Sequence, residues 1–174
     1  MNFTIIEEVI KKNNTMRITD EFIIFSEGEF SNSYPCTIKY EYKPYYFTWK
    51  WFFRKLNPFK SRSEKKPFFS SEHLFLHMKA IYFRDTRTAN RIRKASTIEE
   101  AKCLENKIRK FNEDEWNEVR LRYMCAALHQ KFIQNIELAK MLVDEKLWGK
   151  SFVETSTLDP IWGIGRHYDD PLCD

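Results

Sequence analysis

Asn112–Gln134 reads NEDEWNEVRLRYMCAALHQKFIQ, and this stretch sets the fold class. Trp116, Val119, Tyr123, Met124, Ala127, Leu128 and Phe132 recur along it at helical spacing. Asn112 is a residue type that caps helices, so a long helix is expected from Glu113 to about Gln134. The chain on either side follows the same pattern. Upstream, Ser70 or Ser71 can cap SEHLFLHMKAIYFRD and Asp85 can cap TRTANRIRKA, while Ser96 and Glu99 have capping-box spacing before AKCLENKIRKF. Downstream, a further helix is expected over Ile136 to Val143, and after Phe152-Val153-Glu154 the chain becomes loop-like.

The N-terminal part reads differently. Residues 1–25 alternate irregularly around Phe22-Ile23-Ile24-Phe25, which predicts one or two strands. Ser26 to Pro35 is polar and turn-rich, and Cys36 to Tyr42 alternates as a strand would. The following aromatic and basic stretch is broken by Pro58 and Pro67, as in an excursion or long hairpin. The expected fold is therefore mainly α with a small N-terminal β element, an α+β domain. At 174 residues the whole chain, 1–174, fits a single compact domain, with an insertion at about 43–67.

Composition supports this and excludes several functions. Hydrophobic residues are 43% of the chain, enough for a core, and four glycines are too few for a turn-rich all-β fold or a glycine-rich phosphate loop. No run approaches the roughly 20 apolar residues that span a bilayer, so no membrane partner is expected. MNFTIIEEVIKKNN has acids within its apolar run and does not read as a signal peptide. Cys36, Cys103, Cys125 and Cys173 are scattered, as expected of reduced thiols in a cytoplasmic protein. The net charge of +4 is uneven: Lys43–Pro67 holds eight basic residues and one acid, so it carries +7 and the remainder −3. Tyr45, Tyr46, Phe47, Trp49 and Trp51 interleave with that charge, the composition of a nucleic-acid contact surface or of a half-packed hairpin with a solvated tip.

Three short segments carry chemically capable residues. The first is Phe30-Ser31-Asn32. The second is Ser71-Glu72-His73-Leu74-Phe75 followed by Lys79, in which Glu72, Phe75 and Lys79 share one helix face. About two turns, roughly 10 Å, separate the acid from the lysine. The third is Asp159-Pro160-Ile161-Trp162-Gly163-Ile164-Gly165. His73 and His77 stand four apart, a spacing that two imidazoles sharing a metal use, but no third ligand accompanies them, so no metal site is expected.

In this order, with Trp116, Arg120, Met124, Lys131-Phe132 and Asn135 between them, the segments resemble the YbiA/NADAR family over about residues 26–170. The resemblance implies a YbiA-like single domain and an N-glycoside hydrolase needing no cofactor. Family members cleave bonds from ribose C1′ to nitrogen, either removing ADP-ribose from guanine or hydrolysing early riboflavin-biosynthesis ribosylamine phosphates. Such bonds break through an oxocarbenium-like transition state. On this reading Glu72, Lys79 and Asp159 are the catalytic candidates. Glu72 can balance oxocarbenium charge or activate water, and Lys79 can grip phosphate or attack the opened sugar as an amine. Ser31, Asn32, Phe75, Trp116, Arg120, Trp162 and Gly163 are the substrate-binding candidates. Glu154 ranks below these, as a third pocket carboxylate or an exposed strand end, and Lys131 as a phosphate contact or a surface residue. The expected partner is a ribosylated nucleotide or ADP-ribosylated guanine, with possible nucleic acid contact through 43–67.

The chain departs from the family pattern at Ser33, where many relatives carry an aromatic, in the long basic 43–67 stretch, and at its end. It stops at Asp174, where relatives usually continue into a final helix. A non-catalytic module binding ADP-ribose or a related nucleotide is the alternative that this ending suggests.

Overall fold

Side-chain caps fix where the helices begin. In the computed structural model, which describes residues 16–41, 66–156, 159 and 161–167, helix α1 spans Ser71–Tyr82. The Ser70 hydroxyl accepts the His73 amide at 3.1 Å and satisfies one of the orphan donors of its first turn. Asp85 opens α2 (Thr86–Lys94) by accepting both the amide and the hydroxyl of Thr88. Asn112 opens α4 (Glu113–Gln134) through the Glu115 amide. Helix α3 (Ile98–Glu105) starts one residue away from the expected box. Thr97, not Ser96, accepts the Glu100 amide, and Glu100 in turn accepts the Ser96 amide at 2.8 Å. Two overlapping Ser/Thr-x-x-Glu registers exist here, and the one ending in Glu100 closes the ring. Helix α5 (Ile136–Leu142) and a 3-10 turn (Glu145–Leu147) follow.

Three strands form one sheet in the order β1 (Met16–Ile18), β2 (Phe22–Phe25), β3 (Ser151–Glu154). β1 and β2 are an antiparallel pair, whereas β3 lies parallel to β2, with Phe25 opposite Glu154. The mainly helical α+β expectation holds, and the small sheet draws its third strand from the far end of the chain. The five helices of the described residues all lie between β2 and β3 in sequence. The parallel pairing therefore brings residues 22–25 and 151–154 together and aims the segment after β3 back over the helices.

The strand expected from Cys36 to Tyr42 does not form over its described residues, 36–41. Among the described residues this segment makes one isolated antiparallel bridge, Ile38 to Phe68, with both amides bonded at 2.9 Å. The next ladder bonds would join residues 40 and 66, but Arg93 donates to the carbonyls of both Tyr40 and Lys66 at 3.0 Å, and on the other side Ser70 already turns into α1. The excursion expected between Lys43 and Pro67 lies almost wholly outside the described residues.

The main core fills the space between α1, α2, α3 and α4. Phe68, Leu74, Ala80, Ala89, Ile92, Ala95, Ala101 and Ala127 are all fully buried there. The alanines let these helices approach closely. Each large aliphatic side chain among them stabilises the fold by about 1.5–3 kcal/mol. A second cluster, with Met16, Ile23, Phe25 and Phe30 against Leu138 and Met141, fixes the sheet onto α5.

His73 and His77 belong to this packing. Nε2 of His73 donates to the Ile92 carbonyl at 2.6 Å, and Nδ1 of His77 donates to that of Ala89 at 2.9 Å. Both rings thus tie α1 to α2. The Phe69 amide donates to Nδ1 of His73, which makes that ring the neutral Nε2–H tautomer, and burial lowers its pKa to match. Asp85, buried, does more than cap. It also accepts the Arg109 amide and guanidinium at 3.0–3.2 Å, and these bonds hold its carboxyl well below the usual carboxylate range.

Candidate active site

A cleft of about 850 Å³ opens where five segments meet. These are the first turns of α1, one face of α3, the first turns of α4, the Ser31–Asn32 loop, and the end of β3 with the segment after it. Its size is that of sites for nucleotide-sized ligands, roughly 300–1,000 Å³.

The Ser31–Asn32 loop is bonded to three elements at once. The Asn32 carbonyl accepts the Glu72 amide at 2.9 Å and the Ser71 hydroxyl at 2.8 Å, which fastens it to the start of α1. The Ser31 carbonyl accepts Nζ of Lys131 at 2.8 Å. The Ser31 hydroxyl and the Asn32 amide each donate to the Glu154 carboxyl at 3.4 Å. The loop thus ties Glu154 to the first turn of α1, which carries Glu72.

Lys131 does not sit on the helix surface: it is fully buried. The sequence pattern places it one position before Phe132, and only the close packing of α4 on the Ser31–Asn32 loop turns it inward. Its ammonium lies 5.3–5.5 Å from the rings of Phe132 and Tyr34 and rests on a carbonyl instead of a carboxylate. Burial lowers its pKa from 10.5 to about 8.

Glu72 and Lys79 line the cleft on one face of α1, as their spacing predicts. Each has a partner on α3. Lys102 pairs with Glu72 at 2.8 Å, and Glu105 pairs with Lys79 at 2.6 Å. The separation of seven on α1 is answered by a separation of three on α3, with the charges reversed. Lys79 also lies 4.3 Å from the Phe111 ring centroid and 5.6 Å from that of Trp116. A phosphate contact is compatible with this arrangement. Attack as an amine requires Lys79 to leave Glu105.

Asp159 enters from the opposite wall. Its Oδ1 accepts the amides of Ile161 at 2.9 Å and Trp162 at 3.0 Å, while its carbonyl accepts the Gly163 amide at 3.1 Å. Gly163 is required sterically: a Cβ there would stand 2.7 Å from Cβ of Ser156 and 2.9 Å from the Asp159 oxygen. Trp162 meets Phe75 edge-on at 5.8 Å, and Phe75 meets Trp116 at 5.3 Å, so an aromatic wall runs from the loop into the core. Trp116 is only 5% exposed and mostly packs in the core, and Arg120 bonds Asn117 at the rim of the cleft.

The candidate residues read from the sequence thus border one cleft, except Gly163, which shapes the loop behind it, and Lys131, which is buried beneath the Ser31–Asn32 loop. Glu154, ranked low, lies within it. Burial and the nearby carboxylate of Asp159 raise its pKa from 4.5 to about 7, with Glu72 adding to the effect. Lys102, Glu105 and Phe111 were not singled out. In sequence they are an exposed-looking helical Lys and Glu and a lone aromatic, and only the crossing of α3 over α1 gives them a place.

Known proteins match this arrangement. A family model described as the NADAR domain matches residues 22–173. N-glycosidase R617 of Acanthamoeba polyphaga mimivirus is 29% identical over 116 residues, 67% of this chain and 67% of that protein. Protein irg-1 of Caenorhabditis elegans is 30% identical over 164 residues, covering 90% of this chain and 70% of that one. The solution NMR structure of the E. coli protein YbiA superposes with a TM-score of 0.59 at 24% identity, over 87% of this chain and 77% of YbiA, and so shares the fold. With the family match spanning nearly all of its length, this chain belongs to the NADAR family.

Proposed function

We propose that this chain is an N-glycoside hydrolase that cleaves a bond between ribose C1′ and nitrogen. The observation that carries this reading is the meeting of Glu72 and Asp159, from segments far apart in sequence, in one cleft walled by Phe75, Trp116 and Trp162. Oxocarbenium character at C1′ calls for negative charge beside the sugar, and an aromatic wall suits a planar base. The name of the mimivirus relative, an N-glycosidase, agrees.

Glu72 and Asp159 balance the developing charge and position water at C1′. Ser31 and Asn32 supply hydrogen bonds to the sugar, Trp162 stacks on the base, and Lys79 and Arg120 meet phosphate oxygens at the far end and rim. The substrate we favour is ADP-ribosylated guanine, in a nucleotide or nucleic acid. The basic residues of 43–67 suit phosphate-rich ligands. The riboflavin-pathway ribosylamine phosphates are the competing substrates.

The test is a mass-spectrometric hydrolysis assay that offers both substrate classes to wild type and to Glu72→Gln. Release of free base from one class, reduced about 100-fold or more in the variant, is expected. Tight binding without turnover of either class by folded wild type would refute the reading in favour of a nucleotide-binding module.

A further inference from the structure

We propose that Glu154 is the proton donor to the leaving nitrogen, an inference that rests on the N-glycosidase reading. A neutral base is a poor leaving group as an anion, so bond cleavage needs an acid close to the departing nitrogen. Among the carboxyl groups that line the cleft, Glu154 and the two that oppose its ionisation, Asp159 and Glu72, differ in their surroundings. Lys102 pairs with Glu72 at 2.8 Å. Two backbone amides donate to Asp159 at 2.9–3.0 Å. Glu154 has only the neutral donors of Ser31 and Asn32, both at 3.4 Å, and no ion-pair partner among the described residues.

Its position adds to the contrast. Glu154 ends β3 beneath the Ser31–Asn32 loop, partly buried, with Asp159 and Glu72 as its charged neighbours across the cleft and Lys131 behind the loop. Two carboxylates near a third oppose its ionisation, so the proton of the cluster belongs on the least compensated member. The Ser31 hydroxyl does not need a carboxylate to be satisfied, since it also bonds that of Ser33 at 3.1 Å. The titration of Glu154 near pH 7 agrees with this assignment.

The step balances as follows. The electron pair of the C1′–N bond moves to nitrogen as the proton passes from the Glu154 carboxyl oxygen to that nitrogen. A neutral base, an oxocarbenium centre and the Glu154 carboxylate result. Water then adds to C1′, and the proton it sheds restores the carboxyl. The net change is one ribosylated base and one water converted to free base and the 1′-hydroxy sugar.

The experiment compares wild type, Glu154→Gln and Glu154→Asp on two substrates with the same phosphate end. One carries a neutral leaving base that wild type hydrolyses. The other is an N-ribosyl pyridinium, whose leaving nitrogen needs no proton. Glu154→Gln should lose about 100-fold or more in kcat on the neutral base, with KM little changed, and less than about 10-fold on the pyridinium. Wild-type kcat/KM on the neutral base should fall as pH rises above about 7, and that limb should move in Glu154→Asp. Equal losses on both substrates, or an alkaline limb unmoved by Glu154→Asp, would overturn the assignment. Should wild type reject the pyridinium, the limb alone decides. A wild type inert towards every ribosylated base refutes the N-glycosidase reading itself, whereas active wild type with an active Glu154→Gln refutes only the role of Glu154.

Discussion

Replacing Lys131 by Met tests how the Ser31–Asn32 loop is held. The wild-type ammonium is fully buried and contacts one carbonyl at 2.8 Å. Its pKa falls from 10.5 to about 8, which corresponds to about 3 kcal/mol of differential interaction between the two protonation states. The folded state therefore releases this proton before the unfolded state does. Between pH 8 and pH 10.5 the unfolded chain binds more protons at this site, so the contribution to stability rises with pH across that window. Below pH 8 the lysine is charged in both states and the full cost is present. Met fills a similar volume without charge. It sacrifices one charged hydrogen bond worth about 1.5–3 kcal/mol, yet the Ser31 carbonyl keeps the Tyr34 amide as a donor. The two effects offset at neutral pH, so Lys131→Met should lie within about 1.5 kcal/mol of wild type there. Urea denaturation of both proteins from pH 7 to 10.5 provides the measurement. Wild type should gain about 2–3 kcal/mol relative to Lys131→Met across that range. Parallel stability profiles would refute a buried, depressed lysine. In the hydrolysis assay the variant should raise KM more than it lowers kcat, because Lys131 positions the loop and does not reach the sugar.

Other perturbations have equally definite outcomes. Gly163→Ala should lower both activity and thermal stability, by about 1–3 kcal/mol in a melting experiment, because the new Cβ meets backbone and Ser156 at 2.7–3.0 Å. Asp85→Ala should cost about 3–4 kcal/mol in urea denaturation, since it removes the α2 cap and strands the bonds of Arg109 and Thr88. The Asp85 carboxyl lies below its ordinary 3.8, so its stabilisation is complete above about pH 4 and is lost as pH falls further; Asp85→Asn should flatten that acid limb. Glu105→Gln should leave stability within about 1 kcal/mol, as expected for a partly exposed pair, and should sharpen the response of KM to the substrate phosphate by releasing Lys79.

The family pattern was legible because its pieces are local. Glu72, Phe75 and Lys79 fall on one face of α1 because three and seven residues are near-integral numbers of helical turns, and the structure keeps all three on the cleft. Ser70, Asp85 and Asn112 cap their helices because a cap bond reaches only three residues ahead. Even the cap error at Ser96 is local, a choice between two overlapping registers that only the Glu100 side chain resolves. The strand expected from Cys36 does not form over the described residues for a different reason: its alternation is real, but a strand needs a partner, and the Arg93 guanidinium takes the Tyr40 and Lys66 carbonyls that would continue the one bridge.

What the sequence determined by itself, then, was whatever a few neighbouring residues decide: the helices, their caps, the apolar faces, and the ordered motifs that mark the family. What only the tertiary structure decided are properties of groups far apart along the chain. Ser31 meets Lys131 across 100 residues and Glu154 across 123, by way of a parallel β2–β3 pairing that periodicity does not reveal. Burial of that lysine, the raised pKa of that glutamate and the crossed Lys79–Glu105 and Glu72–Lys102 pairs all arise there. A side chain's charge state depends on how much water it has lost and which charges surround it, and both are set by the packing of distant segments.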